Sequence, residues 1–189
     1  MKLTPEYIAE QEDTIKRNFD THVSWGNNPF IRERYLALRD FCSGSKTILS
    51  VGSAGVEPLA IHATHACDVH RIAGDLLKSI GWKGEFRVCS CDDLSHADKW
   101  FDVAVCSEVI EHLPDHESVK ETFLELDRVA KKWIVTTPDV DVIKPEAQDK
   151  SHINFWNKEQ IKTLLPPHLL PKIKIHTKGV FIYITKSGG

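Results

Sequence analysis

Residues 101–115 read FDVAVCSEVIEHLPD, and this stretch decides how the chain folds. Residues 102–107 are rich in valine and small apolar side chains and read as a strand. The chain then turns polar, and residues 115–129 place Val119, Phe123, Leu126 and Val129 along one side of an amphipathic helix. Residues 132–137 return to a strand-like run. A strand, a short polar connection, a helix and a second strand form the unit that builds a sheet with helices on its faces.

The same alternation extends in both directions. Upstream, TILSVG (47–52) is a short buried strand ending in glycine, residues 59–63 allow only a brief helix, and residues 64–68 form a second strand ending in Asp68. Residues 71–80 are helical until Gly81 and Gly84 break the pattern, and residues 85–90 supply a third strand. Further back, residues 5–19 put Ile8, Ile15 and Phe19 on one face of a helix, and residues 30–41 do the same with Phe30, Ile31, Tyr35, Leu38 and Phe41, with the turn SWGNNP between them. Downstream, the polar connection KPEAQDKS (144–151) precedes a helix over 158–165 that Pro166 and Pro167 stop. Finally KIKIHT and VFIYIT alternate around Lys178 and Gly179 and read as an antiparallel hairpin.

Composition narrows the function classes. With 41% hydrophobic and 27% charged residues over 189 positions, the chain has the balance of an ordinary globular protein with one buried core. It contains no apolar run long enough for a membrane span, and its acidic first residues do not suit a signal peptide, so the expected location is the cytoplasm. Cys42, Cys67, Cys89, Cys91 and Cys106 lie mostly in strand-like runs and read as reduced core thiols; Cys89 and Cys91 lack a second pair for a zinc knuckle. The net charge of −3 argues against indiscriminate nucleic-acid binding. The charge is uneven, since residues 144–189 hold eight lysines and three acids, against 16 basic and 24 acidic residues before them. That surplus is either a solvated edge or a basic wall facing an anionic substrate.

In an open α/β sheet, ligands bind beyond the carboxyl ends of the strands, near the point where strand order reverses. The first strand ends in Gly52-Ser53-Ala54-Gly55, where glycine lets backbone approach a ligand closely, although the same residues serve as a plain turn. Asp68 at the second strand end suits the two hydroxyls of a ribose; its rival role is to cap the helix over 71–80. The third strand runs into Cys91 and Asp92, near which an adenine edge would lie, or which serve only as a turn.

Taken together, TILSVGSAG, FDVAVCSEVIEHLPD and WIVTTPD resemble, in order, the segments of class I S-adenosylmethionine-dependent methyltransferases over about residues 45–165. The E-x-x-EH-L element, Glu108-Val109-Ile110-Glu111-His112-Leu113, carries most of the likeness. The resemblance implies an α/β, three-layer Rossmann-like domain spanning 1–189, with helices over 1–42 as a lid and a core over 45–189. It implies a seven-stranded, mostly parallel sheet whose last strand is reversed, in keeping with the C-terminal antiparallel hairpin. It also implies S-adenosyl-L-methionine as cofactor, with Gly52, Ser53 and Gly55 beneath the methionine, Asp68 on the ribose, Cys91 or Asp92 near the adenine, and Ser107 and Glu108 beside the methyl group. One departure stands out: the family's first loop reads acid-x-G-x-G-x-G, whereas this chain has Ser50, Gly52, Ala54 and Val56 at those positions.

If a helix begins near Glu108, then Glu108, Glu111 and His112 share one face, and with His152 from SHINFW they would hold a divalent metal ion. This set resembles metal-dependent enzymes that methylate the 2′-hydroxyl at RNA 3′ ends, and ubiquinone-pathway O-methyltransferases. Without a metal, Glu111 and His112 would support the pocket, and His112 or His152 would act as general base beside Glu108. The remaining histidines (His22, His62, His65, His70, His96, His116, His168 and His176) read as surface or structural. The leading expectation is O-methyl transfer to a small-molecule or glycan-like hydroxyl. The others are a metal-assisted RNA 2′-O-methyltransferase and a scaffold that keeps the fold without catalysis. A nicotinamide-dependent dehydrogenase would suit Asp68 but leaves E-x-x-EH without a role.

Overall fold

A computed structural model describes Lys16 and residues 28–188; the expected helix over 5–19, with Phe19, His22 and Trp25, lies outside the described residues. In chain order the elements are α1 (Pro29–Cys42), β1 (Ile48–Val51), α2 (Glu57–Ala60), β2 (His65–Asp68), α3 (Arg71–Ser79) and β3 (Glu85–Val88). They continue with β4 (Phe101–Ser107), α4 (His116–Val129), β5 (Ala130–Pro138), α5 (Lys158–Leu164), β6 (Ile173–Lys178) and β7 (Phe181–Lys186). The seven strands form one sheet in the order β3-β2-β1-β4-β5-β7-β6. All neighbours are parallel except the β5–β7 and β6–β7 pairs, so the expected hairpin is present and closes the sheet.

Side chains alternate across a strand, so each strand feeds two cores. Leu49, Val51, Ala104, Cys106, Trp133, Val135 and Ile184 join Phe123 and Leu126 of α4 and Ile161 of α5 on one face. Ile48, Val103, Val105, Ile134 and Tyr183 join Leu38 of α1 and Leu77 of α3 on the other. A near-continuous apolar run such as β4 therefore has both sides covered. Local signals set the helix ends: Asn28 caps α1 through Phe30 and Ile31, Asp115 caps α4 through Ser118, and Asn157 forms a capping box with Gln160 on α5.

Two sequence expectations need correcting. On α1 the expected Ile31, Tyr35, Leu38 and Phe41 do pack against the core, Phe30 is half exposed instead, and Arg34 and Cys42 join the buried face. The stretch after β4 does not enter an α-helix at Glu108. Glu108 adopts φ 58°, and only a 3-10 turn over Ile110–His112 follows before α4. An α-helix needs negative φ, and here the Glu108 carboxylate is drawn toward partners on other elements. No helix among the described residues is long and apolar enough to cross a membrane.

Candidate active site

Strand order reverses between β1 and β4, and the loops leaving their carboxyl ends open a cleft of about 570 Å³. At its floor, Gly52 has φ 72°, and a β-carbon there would lie 2.3 Å from Cγ2 of Val109. Only glycine lets the first loop pass under the loop after β4. Ala54 and Gly55 also line the cleft, whereas Val56 is buried in the core, so the bulk at position 56 points away from the ligand space. Ser53, expected beneath the cofactor, instead turns inward, its hydroxyl bonding Ser50 O and Ser50 Oγ at 2.9 Å each.

On the β2 side, Asp68 is buried and lines the cleft. Its Oδ1 accepts from the His70 backbone N–H and meets His70 Nδ1, both at 2.8 Å. The N-cap of α3 is His70, with no side-chain cap bond, so Asp68 does not serve as the helix cap. His70, read from sequence as surface or structural, lines the cleft as well, and its Nε2 is buried without a partner. Cys89, Ser90 and Cys91 continue this wall, with Thr122 Oγ1 donating to Cys91 Sγ at 3.3 Å. Asp92 is not among the lining residues.

On the β4 side, Ser107 Oγ lies 2.8 Å from Thr136 Oγ1, and Thr136 Oγ1 donates to Glu108 Oε1 at 3.0 Å. The other Glu108 oxygen pairs with Arg34 at 3.1 Å, both side chains being largely buried. The Arg34 guanidinium also stacks over the rings of Phe181 and Tyr35. Burial pushes the carboxyls of Glu57, Glu108 and Glu111 up to about 7. Glu57, Asp68 and Glu108 line the cleft against the single guanidinium of Arg34, an arrangement that suits a cationic ligand.

Glu111, His112 and His152 each offer a ligating atom within 4.8 Å of the others. The structure brings these three together and directs Glu108 to Arg34 instead. His112 Nδ1 lies 3.1 Å from the Ser151 carbonyl, which can only accept, so Nδ1 carries the proton and Nε2 is bare. His152 Nδ1 likewise faces Gln148 Oε1 at 2.9 Å, and the Gln148 amide is oriented by its own donation to Ile143 O. His152 Nε2 then lies 3.9 Å from Glu111 Oε1, a buried oxygen with no hydrogen-bond partner. Burial lowers both imidazole pKa values, that of His152 to about 4, so both rings are neutral at pH 7. Glu111 Oε2 accepts from Thr137 Oγ1 at 3.0 Å. Acceptors converging without a donor, each fixed by an outer partner, match the donor set of a divalent cation.

Residues 53–133 match the model of a family described as methyltransferase domain. The matched segment spans less than half of the chain, and the fold around it is that of class I methyltransferases. The acid-rich cleft with its glycine floor and the unpartnered His70 Nε2 offers partners for a cationic nucleoside. No curated protein matches the sequence. Solved structures share the methyltransferase fold. The PH0226 protein from Pyrococcus horikoshii OT3 is 17% identical with a TM-score of 0.68, over 92% of this chain and 97% of that one. The N-methyltransferase NodS from Bradyrhizobium japonicum WM9, in complex with S-adenosyl-L-homocysteine, is 18% identical with a TM-score of 0.64, over 85% and 88%. A Burkholderia thailandensis 1,6-didemethyltoxoflavin-N1-methyltransferase is 12% identical with a TM-score of 0.65, over 97% and 89%.

Sequence reasoning missed Arg34, Glu57, His70 and Gln148 in this methyltransferase cleft. An arginine on the buried face of α1 was the available signal for Arg34. His70 stands two residues past Asp68, within reach of its own strand-end acid.

Proposed function

We propose that the domain transfers the methyl group to a hydroxyl oxygen of a small-molecule acceptor, glycan-like acceptors included, seated against Glu111, His112 and His152. The observation that carries this reading is the convergence of the bare imidazole nitrogens of His112 and His152, which line the cleft, on a buried and unpartnered oxygen of Glu111. A neutral amine already presents a lone pair, whereas a hydroxyl needs its proton drawn away before it attacks. S-adenosylmethionine supplies an activated methyl on a sulfonium, so the protein aligns the acceptor oxygen and excludes water. Gly52, Gly55, Asp68, Cys91 and Ser107 hold the donor, and α1 roofs the cleft with Ile31, Arg34 and Tyr35 as its lid.

Glu111, His112 and His152 would hold a divalent ion, which supplies Lewis acidity that lowers the pKa of a hydroxyl. His112 and His152 also qualify as the proton acceptor by their neutral rings. The four buried cysteine thiols, Cys42, Cys67, Cys91 and Cys106, support a reducing, cytoplasmic setting. The RNA-terminus reading draws support from His152 joining Glu111 and His112. Three of the eight C-terminal lysines weigh against it, since Lys162, Lys178 and Lys186 pair with Glu159, Glu33 and Asp127.

The test is label transfer from S-adenosylmethionine to matched hydroxyl and amine acceptors, and to RNA ending in ribose or 2′-deoxyribose. Methyl ethers are expected as the products. Methylation of amines alone would overturn O-transfer, and labelling confined to ribose-ended RNA would replace the small acceptor with the polynucleotide.

A further inference from the structure

Ser50, next to the last residue of β1, offers a hydroxyl where the resemblance leads one to expect an acid. The structure nonetheless places a carboxylate at that spot. Glu57, in the first turn of α2, is 7% exposed and lines the cleft two residues beyond Gly55. Ser50 Oγ donates to Glu57 Oε1 at 2.9 Å, and Ser53 Oγ in turn donates to Ser50 Oγ at 2.9 Å. This hydroxyl chain fixes one carboxylate oxygen of a residue that lines the cleft. The nearby cation, Arg34, pairs with Glu108, and no described residue forms an ion pair with Glu57. A buried carboxylate without a cation of its own is costly, and it becomes favourable when the ligand brings the positive charge.

The cleft's polarity says which charge that is. Asp68 and His70 stand at the β2 side, where the nucleoside lies, so the amino-acid part of the cofactor runs over the β1 and β4 ends, beside Glu57. Resting on the reading of this cleft as the S-adenosylmethionine site, we infer that Glu57 is the carboxylate that holds the α-ammonium of the cofactor's methionine moiety. The acid has moved from the strand end to the helix that follows the loop, and Ser50 has become its hydrogen-bonding support.

Calorimetry on the full chain tests this with three probes: S-adenosylhomocysteine, its analogue lacking only the amino group, and 5′-methylthioadenosine, which lacks the whole amino-acid tail. Glu57→Gln keeps an acceptor for Ser50 and removes the charge. The expected result is a loss of roughly 10- to 100-fold in S-adenosylhomocysteine affinity, the size of one charged hydrogen bond, with 5′-methylthioadenosine binding unchanged. The unaltered protein should show the same loss toward the deaminated analogue, and the two losses should not add. This second arm needs no variant. Equal weakening of all three probes in Glu57→Gln, or no weakening of any, overturns the assignment of Glu57. If the unaltered protein binds neither S-adenosylhomocysteine nor 5′-methylthioadenosine, the cofactor site itself is misplaced and the assignment falls with it.

Discussion

The two halves of the cleft are built by different means. The proposed donor half, from Gly52 to Asp68 and Cys91, is made mainly of strand ends and the backbone that leaves them, held by backbone geometry at Gly52 and by local bonds such as Asp68 to His70. The acceptor half is made of side chains that meet across the whole chain: Arg34 with Glu108, Thr137 with Glu111, His112 with Ser151. Sheet topology alone generates the first kind of site, whereas the second depends on a network in which each member orients another. The first should therefore tolerate change in its surroundings, and the second should fail as a unit.

The largest effect is expected in the acceptor half. Glu111→Ala or His152→Ala should lower kcat/KM by roughly 100- to 10,000-fold while S-adenosylhomocysteine affinity, measured by calorimetry, stays put. Combining the two should add little, and any divalent-ion requirement should vanish with either. Activity unaffected by a strong chelator would leave the imidazoles as bases and remove the metal. Next comes the donor half, where Asp68→Asn should weaken S-adenosylhomocysteine roughly 10- to 100-fold with a much smaller change in kcat. A matching collapse of kcat would erase the distinction between the halves.

These two predictions also mark what the sequence made legible. Asp68, Gly52 and Cys91 could be picked out because topology puts strand ends in the cleft whatever the rest of the chain does. Ser53 and Asp92 were picked out by the same logic and face elsewhere, because loop position does not fix side-chain direction. Glu57 and Gln148 carried no local signal of their own, and Arg34 carried only its place on the buried face of α1, since each acquires its role only when α1, the first loop or the segment after β5 packs home. The E-x-x-EH element was read with helical geometry, and the structure gives it a left-handed residue followed by a 3-10 turn. The left-handed backbone at Glu108, which the ion pair to Arg34 supports, is why Glu108 stands apart from Glu111 and His112.

At the seam between the halves, Gly52→Ala should destabilise the protein by about 1–3 kcal/mol, because the residue sits at positive φ with a β-carbon overlapping Val109. Denaturant midpoints read this directly, and a neutral result would mean that the first loop can shift.

A further effect concerns pH. Burial holds the Glu57 proton to about 7 in the folded chain, against about 4.5 when exposed. The stability this group contributes is therefore complete below about 4.5 and lost as pH rises through 7. Glu57→Gln does not titrate, so its stability relative to the unaltered protein should grow between pH 5 and 8. A constant difference across that range would show that Glu57 ionises as freely when folded as when unfolded.

The position of β7 has a consequence for synthesis. It lies between β5 and β6 in the sheet although it follows both in the chain, so the flank of β5 carrying Trp133, Ile134 and Val135 stays open until residues 181–186 have left the ribosome. An unfinished chain thus displays a bare, apolar ladder edge that invites pairing with another nascent copy. Slowing translation near the C-terminal hairpin would lengthen that exposure, and chaperone demand should rise with it.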